Sequence, residues 1–205
     1  LFIVTGLKYS MRIIGGKNKG RKLQAPKGTH TRPTSDRVRE ALFNIITHRI
    51  PGCSFLDIYA GSGAVGIEAA GRGAKEVFFV ENHRAALDVL RKNLEATDLK
   101  AQILAMSAAK SIDILAANGA CFDVIFMDPP YREAESALKL GSWIAQKGLM
   151  TRDGVLVLEF GLSHFQPGQT DGLDLFDQRR YGDTGLAFYR MNSLDDCADG
   201  NNISR

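Results

Sequence analysis

Asp128-Pro129-Pro130-Tyr131 places a carboxylate, two rings that lack an amide N–H and a phenol in consecutive positions. That set suits chemistry on a planar amine. The lone pair of an amine attached to an aromatic ring is delocalised, so the nitrogen is a poor nucleophile. Two acceptors aimed at its N–H groups favour a pyramidal nitrogen. They also stabilise the positive charge that develops as it attacks an electrophile. Asp128 supplies one acceptor. The Pro129 carbonyl supplies the other, restrained by the fixed φ of the ring and without an N–H of its own to compete. Tyr131 stacks on the ring that bears the amine. Asp128, Pro129 and Tyr131 are therefore the candidate catalytic residues, and proximity with alignment does the work without a metal.

A second constellation lies upstream, in Asp57-Ile58-Tyr59-Ala60-Gly61-Ser62-Gly63-Ala64-Val65-Gly66. It ends one apolar run and opens a helix-like one, and its glycines let the backbone turn tightly and approach a ligand. Glu81 closes the next apolar run, where a carboxylate accepts from two ribose hydroxyls. Gly61-x-Gly63-x-x-Gly66 with an acid about 20 residues on also matches the dinucleotide fingerprint. The pattern alone thus gives an adenosine-bearing cofactor and leaves its identity open. Asp57 tips the reading towards S-adenosyl-L-methionine, with S-adenosyl-L-homocysteine as product. It can orient a cationic amino group directly or through water, and it would serve a pyrophosphate poorly. The expected cofactor residues are Asp57, Tyr59, Ala60, Gly61, Ser62, Gly63, Glu81, Asn82, Ser107, Ala108 and Asp128.

The elements that must hold these residues follow from periodicity. Phe55–Tyr59, Val77–Glu81, Ala101–Met106, Phe122–Met127 and Gly154–Phe160 are apolar runs of strand length, separated by helical patterns such as Ala64–Ala70 and Arg84–Glu95. Near-continuous apolar strands alternating with helices predict a parallel sheet covered on both faces. Leu173–Tyr181 and Gly185–Met191 are then joined by a hairpin-length link. A doubly wound, mostly parallel seven-stranded sheet ending in an antiparallel hairpin is the fold expected of a class I methyltransferase. Arg12–Gly16 and Arg21–Leu23 predict a small basic hairpin ahead of it, and Asp36 the N-cap of a helix burying Val38, Leu42, Phe43 and Ile46. The expected organisation is an upstream extension over 1–10, a basic docking arm over 11–35, a catalytic domain over 36–191 and an acidic tail over 192–205.

The 205 residues carry a formal net charge of +3 and are 44% apolar, ordinary values for a globular chain. No apolar run reaches the ~20 residues of a membrane span. Cys53, Cys121 and Cys197 are too scattered for a disulfide framework or a zinc site, which points to reduced thiols and a cytoplasmic protein. The charge is uneven. Lysines and arginines crowd the segment from Lys8 to Arg39 against Asp36 alone, a footprint suited to phosphates. Arg12, Lys17, Lys19, Arg21, Lys22, Arg32, Arg37 and Arg39 are the expected RNA contacts.

The chain resembles the RsmD family of bacterial 16S ribosomal RNA guanine-N2 methyltransferases from about Met11 to Met191. Four blocks carry the resemblance: Arg12–Gly16 with Gly20–Leu23, Arg32–Asn44, the Asp57–Gly66 loop and the Asp128–Tyr131 turn. The last two are common to many amino methyltransferases; the first two point to this family. The resemblance implies a guanine N2 target in 16S rRNA, met on an assembling 30S particle, and a monomeric enzyme whose basic segment docks the RNA. One departure stands out. Where such enzymes often place Asp or Asn to bond the cofactor's adenine amine, this chain has Ser107. An adenine-N6 methyltransferase keeps the same proline turn. Glutamine-N5 methylation usually has Asn in the first position. An NAD-dependent oxidoreductase leaves the turn unexplained, and a non-catalytic RNA-binding protein predicts no cofactor affinity.

Overall fold

The computed structural model describes residues 11–25, 36–99 and 101–192. The expected extension over 1–10, Arg32 and the tail beyond 192 lie outside these residues, as does the Tyr131 side chain. Between Ser111 and Ile112 the chain divides into two compact units. Seven strands form the mostly parallel α/β sheet expected from the apolar runs, and two more form a separate N-terminal ribbon.

In the first unit, β3 (Ser54–Ile58), β4 (Glu76–Glu81) and β5 (Gln102–Ala105) run parallel in the order β5-β4-β3. Phe55, Leu56, Asp57 and Ile58 are all buried, the signature of a strand covered on both faces. The connections are α2 (Ala64–Gly71) and α3 (Arg84–Thr97). Ala86, Leu87, Leu90, Asn93, Leu94 and Thr97 make the buried stripe of α3, so a polar Asn93 sits at an apolar position.

The expected basic hairpin is present as β1 (Met11–Arg12) and β2 (Lys22–Leu23), with Met11 opposite Leu23 and Arg12 opposite Lys22. Its sidedness follows the two-residue period of a strand. Met11, Ile13 and Leu23 are buried, whereas Arg12, Lys22, Lys17, Lys19 and Arg21 face solvent. The ribbon does not hang free. The Lys17 N–H donates to the Gly71 carbonyl at 2.8 Å, and the Ile14 N–H to the Glu68 carboxylate at 3.3 Å.

Helix α1 (Asp36–Ile45) buries Val38, Leu42 and Phe43 as expected, and Asp36, the acid in its first turn, is where the described residues resume. Arg39 corrects the sequence reading more sharply. Counted among the surface cations, it is 1% exposed. Its Nε donates to the wholly buried Glu68 at 2.9 Å, and its Nη2 donates to Asp36 at 2.9 Å and to the Arg12 carbonyl. Arg72, 2.7 Å from the other Glu68 oxygen, lies over the Phe43 ring at 4.7 Å. Arg39 is a cross-tie between α1, α2 and the ribbon, so it is unavailable to phosphates. Removing one partner of a buried pair costs about 3–5 kcal/mol, since the other charge is left stranded.

The second unit contains β6 (Phe122–Met127), α5 (Ala134–Gln146), β7 (Met150–Gly161), β8 (Leu173–Tyr181) and β9 (Thr184–Met191), with α4 (Ala108–Ala117) leading into it. The order is β6-β7-β9-β8. Strands β6 and β7 are parallel, and β9 pairs antiparallel with both β7 and β8. The terminal hairpin thus follows the sequence reading, closed by Gly182-Asp183. Burial pushes the Tyr189 pKa up to about 12. Its hydroxyl remains a donor at ordinary pH and bonds the Gly168 carbonyl at 3.2 Å.

Candidate active site

The glycine loop leaves the C-terminal end of β3, where ligands of open α/β sheets bind. Tyr59 adopts a left-handed φ of 65°, a conformation that costs a non-glycine residue about 1–2 kcal/mol. Strain of this kind collects at functional positions. Two glycines have steric reasons to be there. A Cβ on Gly63, whose φ is +79°, would lie 2.3 Å from Leu90 Cδ1. On Gly66 it would lie 2.3 Å from the Phe79 ring. At these two positions the backbone lies so close to α3 and β4 that a Cβ would have to displace Leu90 or the Phe79 ring.

Acids hold that shape. Asp57 is 2% exposed, and its Oδ2 accepts the Gly66 N–H at 2.9 Å in the first turn of α2. A carboxylate there also complements the helix dipole. Glu81 Oε2 accepts the Gly61 N–H, and Oε1 accepts those of Asn82 and His83, each at 2.8 Å. Three backbone donors therefore fix one carboxylate at the end of β4. Within the loop, the Gly63 N–H closes a turn on the Ala60 carbonyl at 2.7 Å.

Beside this loop is a small hollow lined by Tyr59, Val80, Glu81, Asn82, Met106 and Ala108. Its apolar wall and single carboxylate suit a flat heterocycle on a ribose. Of the residues expected from sequence, Tyr59, Glu81, Asn82 and Ala108 line it. Val80 and Met106 were not foreseen, although both flank predicted residues at strand ends. Ser107 is exposed and absent from this lining. Its Oγ accepts the Lys110 N–H at 3.4 Å and its carbonyl accepts the Ser111 N–H at 3.0 Å, so it serves the start of α4. Ser62 also turns elsewhere: its hydroxyl meets Met11 Sδ at 3.5 Å, and its carbonyl accepts from Asn93 Nδ2 at 2.9 Å.

In the second unit, Asp128 follows directly on β6. Asp128 is half-buried, Pro129 buried and Pro130 exposed. Pro130 holds φ −51° and ψ 138° before a short 3₁₀ turn over Tyr131–Glu133, and its carbonyl accepts the Glu133 N–H at 2.7 Å. The prolines stop the strand, and the turn leads into α5. Among the described residues no group of histidines, cysteines and acids is arranged to hold a metal ion. No described helix is long and apolar enough to cross a membrane.

Of the expected RNA contacts, Arg12, Lys17, Lys19, Arg21, Lys22 and Arg37 are solvent-exposed. Arg12 and Lys22 stand directly opposite each other across the ribbon. Like charges so placed repel, and Asp36 relieves Arg12 only at 3.8 Å, with both side chains well exposed.

Residues 11–190 match the family described as conserved hypothetical protein 95. The putative rRNA methyltransferase YlbH of Bacillus subtilis is 36% identical over 182 residues, covering 88% of this chain and 98% of that protein. Ribosomal RNA small subunit methyltransferase D of Escherichia coli K12 is 39% identical over 145 residues, covering 68% of this chain and 72% of the relative. Among solved structures, a hypothetical protein of Thermus thermophilus superposes with a TM-score of 0.76 at 34% identity, covering 87% of this chain and 98% of its own. A putative methyltransferase, yhhF, of Escherichia coli gives 0.75 at 32% identity, covering 90% and 99%.

Proposed function

This chain belongs to the family described as conserved hypothetical protein 95, the RsmD family, and from that membership we propose that it methylates the N2 amine of a guanine in 16S rRNA, using S-adenosyl-L-methionine. The observation that carries the reading is the hollow at the ends of β3 and β4, with Glu81 fixed at its rim and the strained glycine loop beside it. The lining fits the cofactor: Val80, Met106 and Ala108 offer apolar faces to an adenine, and Glu81 retains acceptor capacity for a ribose hydroxyl. Asp57 would orient the methionine end through its carboxylate, and the loop amides of Ala60–Gly63 would border it.

When bound, the cofactor supplies an electrophilic methyl group on a sulfonium. The residues of this chain prepare the acceptor. Asp128 accepts one N–H of the base amine and the Pro129 carbonyl the other, which turns the nitrogen lone pair out of the ring and stabilises its developing charge. Tyr131 stacks on the base. With the cofactor bound, the base nitrogen so prepared would take the methyl group in place of the sulfur, and its surplus proton would leave to solvent. A paired base does not present its amine to such a pocket, so the guanine must be unstacked or flipped. The exposed cations of the ribbon, with Arg37, provide phosphate contacts, and the opposed Arg12 and Lys22 are relieved by a polyanion. The substrate is rRNA in an assembling 30S particle. The enzyme acts in the cytoplasm as a monomer, without a metal.

Unmethylated 30S particles, incubated with this protein and methyl-tritiated cofactor, test the reaction. Label should appear in the 16S rRNA fraction. Label confined to protein, or no transfer by a preparation that binds cofactor, would overturn it.

A further inference from the structure

Asn93 is 1% exposed on the buried stripe of α3, and its amide is fully engaged. Its Oδ1 accepts the Gln24 N–H at 2.8 Å, and its Nδ2 donates to the Gln24 carbonyl at 3.0 Å and to the Ser62 carbonyl at 2.9 Å. Towards Gln24 the side chain imitates a neighbouring strand, pairing both polar groups of one residue just beyond β2. Towards Ser62 it grips the middle of the glycine loop. The other strand of the ribbon reaches the same residue, because Met11 Sδ lies 3.5 Å from the Ser62 hydroxyl. Ser62 is thus contacted from β1 directly and from the end of β2 through one buried amide.

These contacts join two parts with different ligands under the function proposed above, on which this inference rests. The ribbon carries the exposed cations, and the loop borders the cofactor hollow. A shift of either part must stretch a hydrogen bond to the buried Asn93 amide, whose polar groups have no water to turn to. We infer that Asn93 is a positioning residue linking RNA occupancy of the ribbon to cofactor occupancy of the loop, so that each ligand tightens the other. The linkage must be reciprocal, since both binding steps share one cycle.

The test measures the dissociation constant of S-adenosyl-L-homocysteine by titration, with and without saturating unmethylated 30S particles. In the wild type the particles should tighten binding by about fivefold, near the lower end of measured couplings. Asn93→Asp keeps the volume and Oδ1 but removes both donors, and should bring that ratio close to one. Gln24→Pro deletes one donor from an exposed position without touching α3, and should lower the ratio even if Asn93→Asp does not fold. A wild-type ratio of one, with both ligands bound, would overturn the linkage and leave the proposed reaction standing. A ratio unchanged in folded Asn93→Asp, or in Gln24→Pro, would overturn the role of Asn93. Failure of the wild type to bind either ligand would overturn the functional reading and this inference together.

Discussion

The loop after β3 and the turn after β6 both leave the C-terminal end of a parallel strand, yet they are made rigid in opposite ways. The first is rich in backbone donors, and its shape is set by side-chain acceptors. Asp57 takes the Gly66 N–H, and Glu81 takes those of Gly61, Asn82 and His83. The second has donors removed, with Pro129 and Pro130 restrained by their rings. A site that cradles a cofactor needs converging N–H groups and an acid to organise them. A site that must accept hydrogen bonds from an amine is better served by carbonyls and a carboxylate with few local N–H groups around them. The division of labour predicts that binding and turnover fail separately.

Asp128→Ala should give the largest effect, lowering turnover by roughly 10²–10³-fold while the affinity for S-adenosyl-L-homocysteine changes less than about twofold. Single-turnover kinetics beside a calorimetric titration check both halves. An equal loss of affinity would mean that the two sites are not separable. Glu81→Ala should do the reverse. Without an acceptor for Gly61, Asn82 and His83, cofactor affinity should fall about 10–100-fold, with turnover at saturating cofactor much less affected. Pro129→Ala restores an N–H and frees φ, and should cost about tenfold in turnover with the cofactor dissociation constant unchanged; full activity would show that the carbonyl needs no restraint.

The smallest effect belongs to the ribbon. Charge reversal at Arg21 and Lys22 should weaken RNA binding and reduce the slope of affinity against salt by about two phosphate contacts or more. Turnover on saturating RNA should be spared. Binding that keeps its full salt dependence would remove the ribbon from the docking surface.

Much of this architecture was legible because its signals are local. The apolar runs around Phe55–Ile58, Val77–Val80 and Phe122–Met127 announce doubly covered strands, and Gly182-Asp183 announces the last hairpin. The alternation of Met11, Arg12 and Ile13 fits a ribbon with one buried face. The missing pieces depend on partners far away in sequence. Arg39 reads as one more cation in a basic segment, and only Glu68 in another helix makes it a buried tie. Asn93 carried a signal that was available: a polar residue in register with Ala86, Leu90 and Leu94. Its partners, Gln24 and Ser62, lie 69 and 31 residues away. Ser107, which stands where such enzymes often have Asp or Asn, is exposed and bonds the first turn of α4, a role that its place between β5 and α4 allows. Met106 was passed over because an apolar residue at a strand end offers no chemistry until a hollow is seen beside it.

The proposed choice of base rests on the N-terminal blocks and on the family, since the chemistry expected of the proline turn would suit either purine amine. Digestion of the methylated 16S rRNA to nucleosides, followed by chromatography of the tritiated product, tests that choice most directly. The label should elute as N2-methylguanosine. Elution as N6-methyladenosine would contradict it.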